Sequence, residues 1–395
     1  MNGSSSFQQA EPARLEAVQN GGKLRIVHCF RSPVGGIFRH VRDLVGAQRK
    51  AGHSVAILCD STTGGSYEEE LFEAIRPELD LGLIRIPMRR AITPGDFVTL
   101  YRTFRELRRL KPDVVHGHGA KGGAYARIIG TALRASGSHL VRLYTPHGGS
   151  IHFDADSLSG RLYFMLERMM ERLTDRLIFV SQYEADGYRA KVGLPRCPQT
   201  LAYNGLTPDE YVPVAEAPDA ADFLYMGMMR DLKGPDLFLE ALAKLGEEGR
   251  DVTAQFVGDG PDKDDYLKMI EELGLAGQVS VHEAMSARKA FALARIIVVP
   301  SRAESMPYTV LEAIAAQRPI VVTRVGGVPE IFAGDTDNLV EPDNVQALAD
   351  AMAAILDDKD RENVAKRRRE ALQKRFSVNR MAEEIEAAYR ATLRQ

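Results

Sequence analysis

Short apolar segments alternate with helical patterns along most of the chain. In the first half, continuous apolar runs predict buried strands at residues 23–30, 54–59, 83–87, 113–116, 140–145 and 176–181. The last of these is predicted to close this half, and residues 37–50 are predicted to form a helix. Strands that are apolar throughout and alternate with helices indicate a parallel sheet covered on both faces.

The same alternation starts again in the second half. Strands are predicted at residues 222–227, 253–258, 279–282, 296–300 and 320–323, and helices at 341–356 and 377–393. Between the halves, residues 206–221 contain three prolines and show neither a helical nor a strand period. This segment is therefore predicted to be a linker.

A chain of 395 residues is too long for one compact core, so two domains are predicted. We place a disordered tail at residues 1–22 and Rossmann-like domains at 23–205 and 206–377, with the final helix (about 378–395) packed back on the first domain. The predicted fold class is α/β, with two doubly wound domains. In such domains ligands bind at the loops that follow the carboxyl ends of the strands.

Composition excludes several classes of protein. No apolar run reaches the ~18–20 residues of a membrane-spanning helix, and the polar start lacks the apolar region of a signal peptide. Three widely separated cysteines, Cys29, Cys59 and Cys197, argue against a disulfide framework or a cysteine-based zinc site. We therefore expect a protein of the reducing cytoplasm.

The formal net charge of −3 is unevenly distributed. Residues 23–205 carry 27 Lys and Arg against 18 Asp and Glu, whereas residues 206–395 carry 23 against 34. A basic first half predicts an anionic surface or substrate near that half; the alternative is incidental surface charge.

Two glutamates eight positions apart give the strongest candidate site. Glu304 lies in a loop after the strand that ends at Pro300, and Glu312 lies inside the helix that is predicted to follow, with Ser305 as its N-cap. Free backbone N–H groups at this helix start are predicted to bind an anion, which the helix dipole favours. The alternative is a capped helix with a solvated Glu312. The predicted binding segment consists of Ser305, Met306, Pro307, Tyr308 and Thr309.

Loops after other strands carry further candidates. Arg230 and Lys233 follow the first strand of the second half and are spaced to point one way across a diphosphate; as ordinary surface charges they would be unremarkable. Gly258 ends the next strand in a tight turn. In the first half, Gly35 and Gly36 end the first strand-to-helix turn, and His147 follows a strand; these complete the candidate set.

Three other motifs are weak. Residues 117–122 fit G-x-G-x-x-G but lack the acidic residue that a dinucleotide site needs about 20 positions later, so no NAD(P) site is predicted. Asp154 and Asp156 match a D-x-D metal motif, but the same spacing recurs elsewhere, and no metal site is predicted. We expect the side chains of His116 and His118 to point in different directions and not to bind one metal ion together.

Taken together, the order of these motifs resembles the retaining GT-B glycosyltransferases of family 4. The resemblance runs from Lys23 to about Ala391. It rests on E-x7-E at Glu304 and Glu312, on the Arg230 and Lys233 pair, on His147 and on residues 35–36, 51–55, 258–261 and 326–330. It implies two Rossmann-like domains facing across a cleft, with an N-terminal acceptor-binding and a C-terminal nucleotide-sugar-binding domain.

The resemblance also implies residue roles. Arg230 and Lys233 would clamp the diphosphate, Glu312 would bind the ribose, and Glu304 and His147 would contact the donor sugar, with Gly36 offering a backbone donor near the phosphate. The family usually has Phe-Gly or similar after the first glutamate, whereas residues 305–308 here read Ser-Met-Pro-Tyr. Since this loop contacts the donor sugar, the donor stays open between UDP- and GDP-sugars.

The predicted activity is a glycosyltransferase that needs no metal or other cofactor, retains the α-configuration and does not bind nucleic acid. The alternatives are a sugar-nucleotide 2-epimerase of the same fold and a non-catalytic sugar-nucleotide binding module. The acceptor is expected to be a glycan or lipid-linked glycan of exopolysaccharide or lipopolysaccharide assembly.

A basic amphipathic segment, residues 97–111, is expected to hold this cytoplasmic protein on the anionic inner face of the membrane. Its apolar residues recur at helical spacing and its polar face carries five cations, Arg102, Arg105, Arg108, Arg109 and Lys111. The alternative is that the apolar residues pack on the sheet and the cations are solvated.

Overall fold

The computed structural model describes residues 21–33, 35–88, 95–149, 151 and 153–395, without the side chains of Asp96 and Phe97. The tail predicted at residues 1–22 therefore lies almost entirely outside the described residues. The chain divides into two compact units. Unit 1 holds the chain up to Tyr203, except Ser181–Tyr183, together with Val378–Gln395; unit 2 holds Ser181–Tyr183 and Asn204–Ser377.

Unit 1 is built on a sheet of seven strands. In chain order these are β1 (Arg25–Phe30), β2 (Ser54–Asp60), β3 (Gly82–Ile86), β4 (Val114–His118), β5 (Val141–Thr145), β6 (Arg176–Phe179) and β7 (Gln199–Leu201). They pair in the order β3-β2-β1-β4-β5-β6-β7, and every pair is parallel. The strand order reverses between β1 and β4, which is where α/β sheets bind ligands.

Helices follow the strands of unit 1 in turn. They are α1 (Gly36–Lys50), α2 (Ser66–Ile75), α3 (Gly95–Leu110), α4 (Gly119–Ala135), α5 (Leu158–Met170) and α6 (Gln182–Lys191). In β1, the five residues after Arg25 are all buried, because helices cover both faces of the sheet. The apolar face of α1 is one such cover, with Phe38, Val41 and Val45 in a core cluster with Phe30.

The prediction that the strand at 176–181 closes the first half is wrong. β7 pairs in parallel with β6 and forms the edge of the sheet. It has three residues, of which Gln199 is exposed and the other two are partly buried. A short, polar edge strand has only one neighbour and does not produce the apolar run of a central strand.

Unit 2 is built on five parallel strands. They are β8 (Ala221–Met226), β9 (Ala254–Val257), β10 (Val279–His282), β11 (Ala294–Val299) and β12 (Ile320–Val322), in the order β10-β9-β8-β11-β12. Its helices are α7 (Pro235–Glu247), α8 (Lys263–Glu272), α9 (Ala287–Ala292), α10 (Tyr308–Ala315), α11 (Val328–Phe332), α12 (Val345–Asp357) and α13 (Arg361–Gln373). The predicted fold class is confirmed, since both units contain a parallel α/β sheet.

The chain returns to unit 1 through its last helix, α14 (Val378–Leu393). Its buried residues Met381, Ile385 and Tyr389 join a core cluster that includes Leu24 and Ile26. The segment predicted as a linker without regular structure contains one 3-10 turn, Pro208–Tyr211. In the described part of the chain no helix is long and apolar enough to cross a bilayer.

The segment at residues 97–111 forms most of α3, and its apolar side packs inward. Leu107 is fully buried, and Leu100, Phe104 and Leu110 pack against the same core cluster. The five predicted cations are exposed, as is Tyr101; the side chain of Phe97 lies outside the description. Most of the apolar stripe therefore packs in the core, while the cations and Tyr101 lie at the surface.

Candidate active site

Four loops of unit 2 meet at one edge of its sheet. They are residues 227–234 after β8, 258–261 after β9, 300–307 after β11 and 323–327 after β12. These strands are parallel and β9, β8, β11 and β12 are consecutive neighbours, so their carboxyl ends share an edge. Every candidate residue that the sequence predicts in the second half, except Thr309 and Glu312, lies on one of these loops or begins the helix after it.

An ion pair joins two of the predicted residues. Lys233 Nζ lies 2.6 Å from Glu304 Oε1, and the Ser301 hydroxyl donates a hydrogen bond of 2.8 Å to the same oxygen. Glu304 is buried, with 8% of its surface exposed, whereas the Lys233 side chain keeps 30%. A buried carboxylate needs a cation and hydrogen-bond donors to stay ionised. The pair therefore places a buried carboxylate beside a lysine side chain that is partly accessible.

Arg230 and Glu312 lie on the elements that lead to and from this pair. Arg230 is exposed and is the residue before the 3-10 turn Asp231–Lys233. Glu312 is partly buried in the second turn of α10, the helix that follows the Glu304 loop. The structure thus brings Lys233 and Glu304 into contact and places the other two charges on adjoining segments.

Two glycines allow these loops to approach closely. Gly326 has φ +56°, and a Cβ there would overlap the carbonyl oxygen of Glu304. Gly258 has φ +148°, and a Cβ there would overlap the carbonyl oxygen of Gly227. A side chain at either position would therefore force the loop away from its neighbour, so Gly326 helps to fix the backbone that carries Glu304.

The start of α10 differs from the prediction. The helix begins at Tyr308 with Pro307 at the N-cap, and no side chain caps it. Ser305 is not the cap, and its Oγ is buried without a hydrogen-bond partner among the described residues. Pro307 has no N–H, so the predicted donors of the first turn reduce to Met306, Tyr308 and Thr309.

The loop before α10 is held from two sides. The Asn204 amide donates a hydrogen bond of 2.8 Å to the Met306 carbonyl, and the Gly327 N–H donates one of 2.9 Å to the Ser305 carbonyl. The peptide groups at the helix start are thereby fixed without a side-chain cap. Fixed N–H groups at a helix start are suited to binding an anion.

Arg302, which was not among the predicted site residues, ties the β11 loop to the β8 loop. Its guanidinium donates hydrogen bonds to Asp236 at 2.8 Å and to Asp343 at 2.7 Å, and its backbone N–H donates one of 3.0 Å to the Leu232 carbonyl. Hydrogen bonding to Asp236 raises the pKa of Arg302. Its position two residues after the end of a strand was the available signal.

In unit 1, Gly35 and Gly36 begin α1 and are both exposed. Gly35, at the N-cap, has φ +73°. His147 follows β5 and also has positive φ, +54°. It is partly buried, and one nitrogen of its ring lies 3.0 Å from a ring nitrogen of His118. Burial lowers the pKa of His147 well below the ordinary value, so the ring is neutral at pH 7.

The expectation that His116 and His118 point apart is wrong. Side chains two positions apart on a strand lie on the same face, and these ring centroids are 4.0 Å apart. Among the described residues, two groups of histidines have nitrogens within 4.8 Å of one another and could hold a metal ion: His28, His116 and His118, and His40, His118 and His147. Burial lowers the pKa of the His28 ring to about 4, and it lowers the pKa values of the His116 and His118 rings well below the ordinary value.

The chain thus contains two parallel α/β sheets, and one of them carries charged residues at the carboxyl ends of its strands. Two family models match the chain in tandem: "Glycosyltransferase Family 4" at residues 34–210 and "Glycosyl transferases group 1" at residues 220–358. The chain belongs to this family of GT-B glycosyltransferases, as the sequence analysis predicted, and it is a glycosyltransferase.

Individual relatives agree with this assignment. The chain is 27% identical to alpha-D-kanosaminyltransferase of Streptomyces kanamyceticus over 75% of this chain and 82% of the relative. It is 28% identical to the putative teichuronic acid biosynthesis glycosyltransferase TuaC of Bacillus subtilis over 81% and 84%. The solved structure of S. aureus TarM in complex with Fondaparinux, alpha-GlcNAc-glycerol and UDP has the same fold, with a TM-score of 0.72 at 12% identity over 93% of this chain and 99% of TarM.

Proposed function

We propose that this glycosyltransferase moves a sugar from a UDP- or GDP-sugar to a glycan or lipid-linked acceptor, with retention of the α-configuration and without a metal ion. The observation that supports this most strongly is the Lys233–Glu304 ion pair beside the start of α10. A nucleotide sugar carries both an anionic diphosphate and a polyhydroxyl ring. A cation, a carboxylate and the backbone N–H groups of a helix start are together suited to both parts.

In this proposal each residue contacts one part of the donor. Arg230, Lys233 and the N–H groups at the start of α10 bind the diphosphate, and Glu312 binds the ribose hydroxyls. Lys233 has three N–H groups, and a single bond to Glu304 leaves two of them for phosphate oxygens. Glu304 then accepts hydrogen bonds from sugar hydroxyls through its second oxygen. The family resemblance implies a sugar contact for His147 and a backbone phosphate contact for Gly36.

The proposed chemistry is a same-face substitution. The bond between the anomeric carbon and the diphosphate oxygen breaks while the acceptor oxygen bonds to the same face of that carbon. The leaving diphosphate takes the proton of the acceptor hydroxyl, so no enzyme nucleophile is needed. Negative charge grows on the diphosphate as its bond breaks, and fixed cations stabilise that charge.

Because two side-chain cations are proposed for the role that a metal plays in other transferases, activity should survive chelation. We expect the same rate with 5–10 mM EDTA as with added Mg²⁺ or Mn²⁺, measured as nucleoside diphosphate released. A strict dependence on either metal would refute the metal-free mechanism.

In the same assay without acceptor, the donor should stay unchanged apart from slow hydrolysis. Conversion to its 2-epimer would instead indicate the epimerase.

A lipid-linked acceptor requires the protein to reach a membrane surface, and unit 1 has two features that support this. The cations of α3 are exposed. The second feature is α5, whose buried face carries Glu167, paired with Arg127 at 3.0 Å. Its outer face is apolar, with more than a third of each side chain exposed: Leu158, Leu162, Met165, Leu166 and Met169. Apolar side chains with nearby cations are suited to anionic lipid.

Co-sedimentation with anionic vesicles tests the two surfaces separately. We expect binding that falls with salt, that weakens when Arg105, Arg108 and Arg109 become Glu, and that weakens when Leu162 and Met169 become Gln. The control variant is Val212→Gln, which changes an exposed apolar residue of unit 2. It should bind the vesicles as the wild type does. Absence of binding at ~50 mM salt, where the Debye length exceeds 10 Å, would refute the membrane proposal.

A further inference from the structure

A line of buried hydrogen bonds leads from His147 into the core of unit 1. His147 Nε2 lies 3.0 Å from His118 Nδ1, and His118 Nε2 lies 3.0 Å from His28 Nδ1. His28 Nε2 in turn lies 2.9 Å from Gln48 Oε1. His28, Gln48 and His118 are at most 3% exposed. The line therefore connects the ring at the candidate site to a side-chain amide on α1.

The line continues beyond the amide. Gln48 Nε2 donates to the Tyr389 hydroxyl of α14 at 3.4 Å, and this hydroxyl lies 2.8 Å from His116 Nδ1. His116 Nε2 lies 2.8 Å from the Thr145 hydroxyl. Gln48 thus lies in the middle of the network. It is also the one member of the network whose donor and acceptor are chemically different atoms, an amide nitrogen and an amide oxygen.

This property of Gln48 sets the direction of every bond towards His147. A neutral imidazole has one N–H and one lone pair, so a ring that is bonded at both nitrogens donates once and accepts once. Gln48 Oε1 accepts, so His28 Nε2 carries the proton and His28 Nδ1 accepts from His118 Nε2. His118 Nδ1 then accepts from His147 Nε2. It follows that His147 is protonated on Nε2 and has its lone pair on Nδ1.

We propose that Gln48, His28 and His118 are positioning residues that hold His147 in the Nε2–H tautomer. The inference rests on the proposed function, in which His147 contacts the donor sugar. Held this way, His147 presents Nδ1 as an acceptor, so it takes a hydrogen bond from a sugar hydroxyl rather than giving one. A ring free to exchange tautomers would lose part of that contact.

A metal ion bound to these histidines would need lone pairs on the ring nitrogens that the hydrogen bonds use. Both candidate metal groups consist of histidines alone, so a divalent cation there would bring two positive charges into the interior without a carboxylate ligand. In the line of hydrogen bonds, by contrast, both nitrogens of His28 and of His118 have partners and no charge is buried. The protonation pattern is therefore the property to measure.

Long-range ¹H–¹⁵N correlation spectra of the full-length protein, labelled with ¹⁵N-histidine, report the tautomer of each ring. At pH 7.5 we expect His28, His118 and His147 as pure Nε2–H tautomers, with His147 assigned by its loss in His147→Gln. The exposed His139 provides a ring with an ordinary mixture in the same spectrum. An Nδ1–H tautomer at His147, or one tightly bound zinc ion per chain after purification, would overturn the proposal.

Two variants distinguish the effect of the hydrogen-bond direction from the effect of losing a buried hydrogen bond. In Gln48→Met the His28 N–H would face a side chain without an acceptor, and a buried unpaired donor is costly, so the line should reverse. His147 should then populate Nδ1–H, and the donor KM should rise about 10-fold. Thr145→Val also removes one buried hydrogen bond, to His116, but leaves the bonds to His147 intact. It should keep both the tautomer and the KM.

The outcomes distinguish this inference from the proposed function. An unchanged tautomer in Gln48→Met would refute the role of Gln48. A changed tautomer with an unchanged KM would refute the positioning role of the network. Stabilisation of the wild-type protein by nucleoside diphosphate, measured separately by thermal unfolding, tests the proposed function and does not depend on the tautomer of His147.

Discussion

Replacing Lys233 by Ala should lower kcat about 10²–10³-fold, and Arg230→Ala should have a similar effect. Negative charge on the diphosphate increases as the glycosidic bond breaks, so a fixed cation stabilises the transition state more than the bound donor. The measurement is the initial rate of nucleoside diphosphate release at saturating donor. Lys233→Ala also leaves Ser301 as the remaining donor to Glu304 Oε1 among the described residues, so the fold of the variant is checked by its Tm.

Matched controls are available on the same unit. Lys268 forms an exposed ion pair with Glu272 at 3.2 Å, and Arg250 forms one with Asp357 at 2.8 Å. Lys268→Ala and Arg250→Ala should keep kcat within about twofold, because exposed ion pairs contribute little to stability. A kcat that falls equally in Lys233→Ala and Lys268→Ala would contradict the proposed role of Lys233.

Replacing Glu312 and replacing Glu304 should change different kinetic parameters. Glu312→Gln weakens hydrogen bonds between a charged group and the ribose, worth roughly 1.5–3 kcal/mol, so the donor KM should rise ~10–100-fold. Glu304→Gln changes the group that contacts the reacting sugar and also releases Lys233 from its ion pair. It should lower kcat by about 10²-fold, with a smaller change in KM. Steady-state kinetics with varied donor separate the two parameters.

Gln is nearly isosteric with Glu, so both variants test charge rather than shape. Glu272→Gln on the exposed face of α8 is the control and should match the wild type. If Glu304→Gln and Glu312→Gln both gave small and equal changes in kcat and KM, the assignment of the two carboxylates to sugar and ribose would be wrong.

Burial explains which elements the sequence predicts. Central strands such as β1 and β11 are covered on both faces and therefore appear as continuous apolar runs. The edge strand β7 has no such run. The helix α13 was not predicted either, because its sequence is highly charged and buries little more than Ala365 and Leu372. Packing, and not the apolar pattern, reveals such elements.

Apolar spacing also leaves open which way a helix faces. The stripe of α3 suggested a lipid surface but packs on the sheet through Leu107 and its neighbours. The exposed apolar face belongs to α5, where the Arg127–Glu167 pair occupies the buried side. A sequence pattern that is apolar nearly all round gives no sign that a charged residue such as Glu167 faces inward.

The candidate site was predictable in part because parallel strands bring their carboxyl ends to one edge. This rule led to Lys233 and Glu304, which the structure joins although they are 71 positions apart. It could not predict the network around His147, since Gln48 and Tyr389 are 341 positions apart and meet only through the packing of α14. The available signal was the two-residue spacing of His116 and His118, which places both on one face of β4.

Thermal unfolding with UDP, GDP and ADP, in buffer with EDTA, shows whether the protein binds the nucleotide part of a donor without a metal ion. We expect one of these nucleotides to raise the Tm of the wild-type protein. At a concentration of 100 Kd the stabilisation is about 2.7 kcal/mol, or roughly 5–10 °C for a domain of this size. The shift should shrink in Arg230→Ala and Glu312→Gln and persist in Lys268→Ala. No shift with any of the three at millimolar concentration would contradict the account of a nucleotide-sugar-dependent transferase.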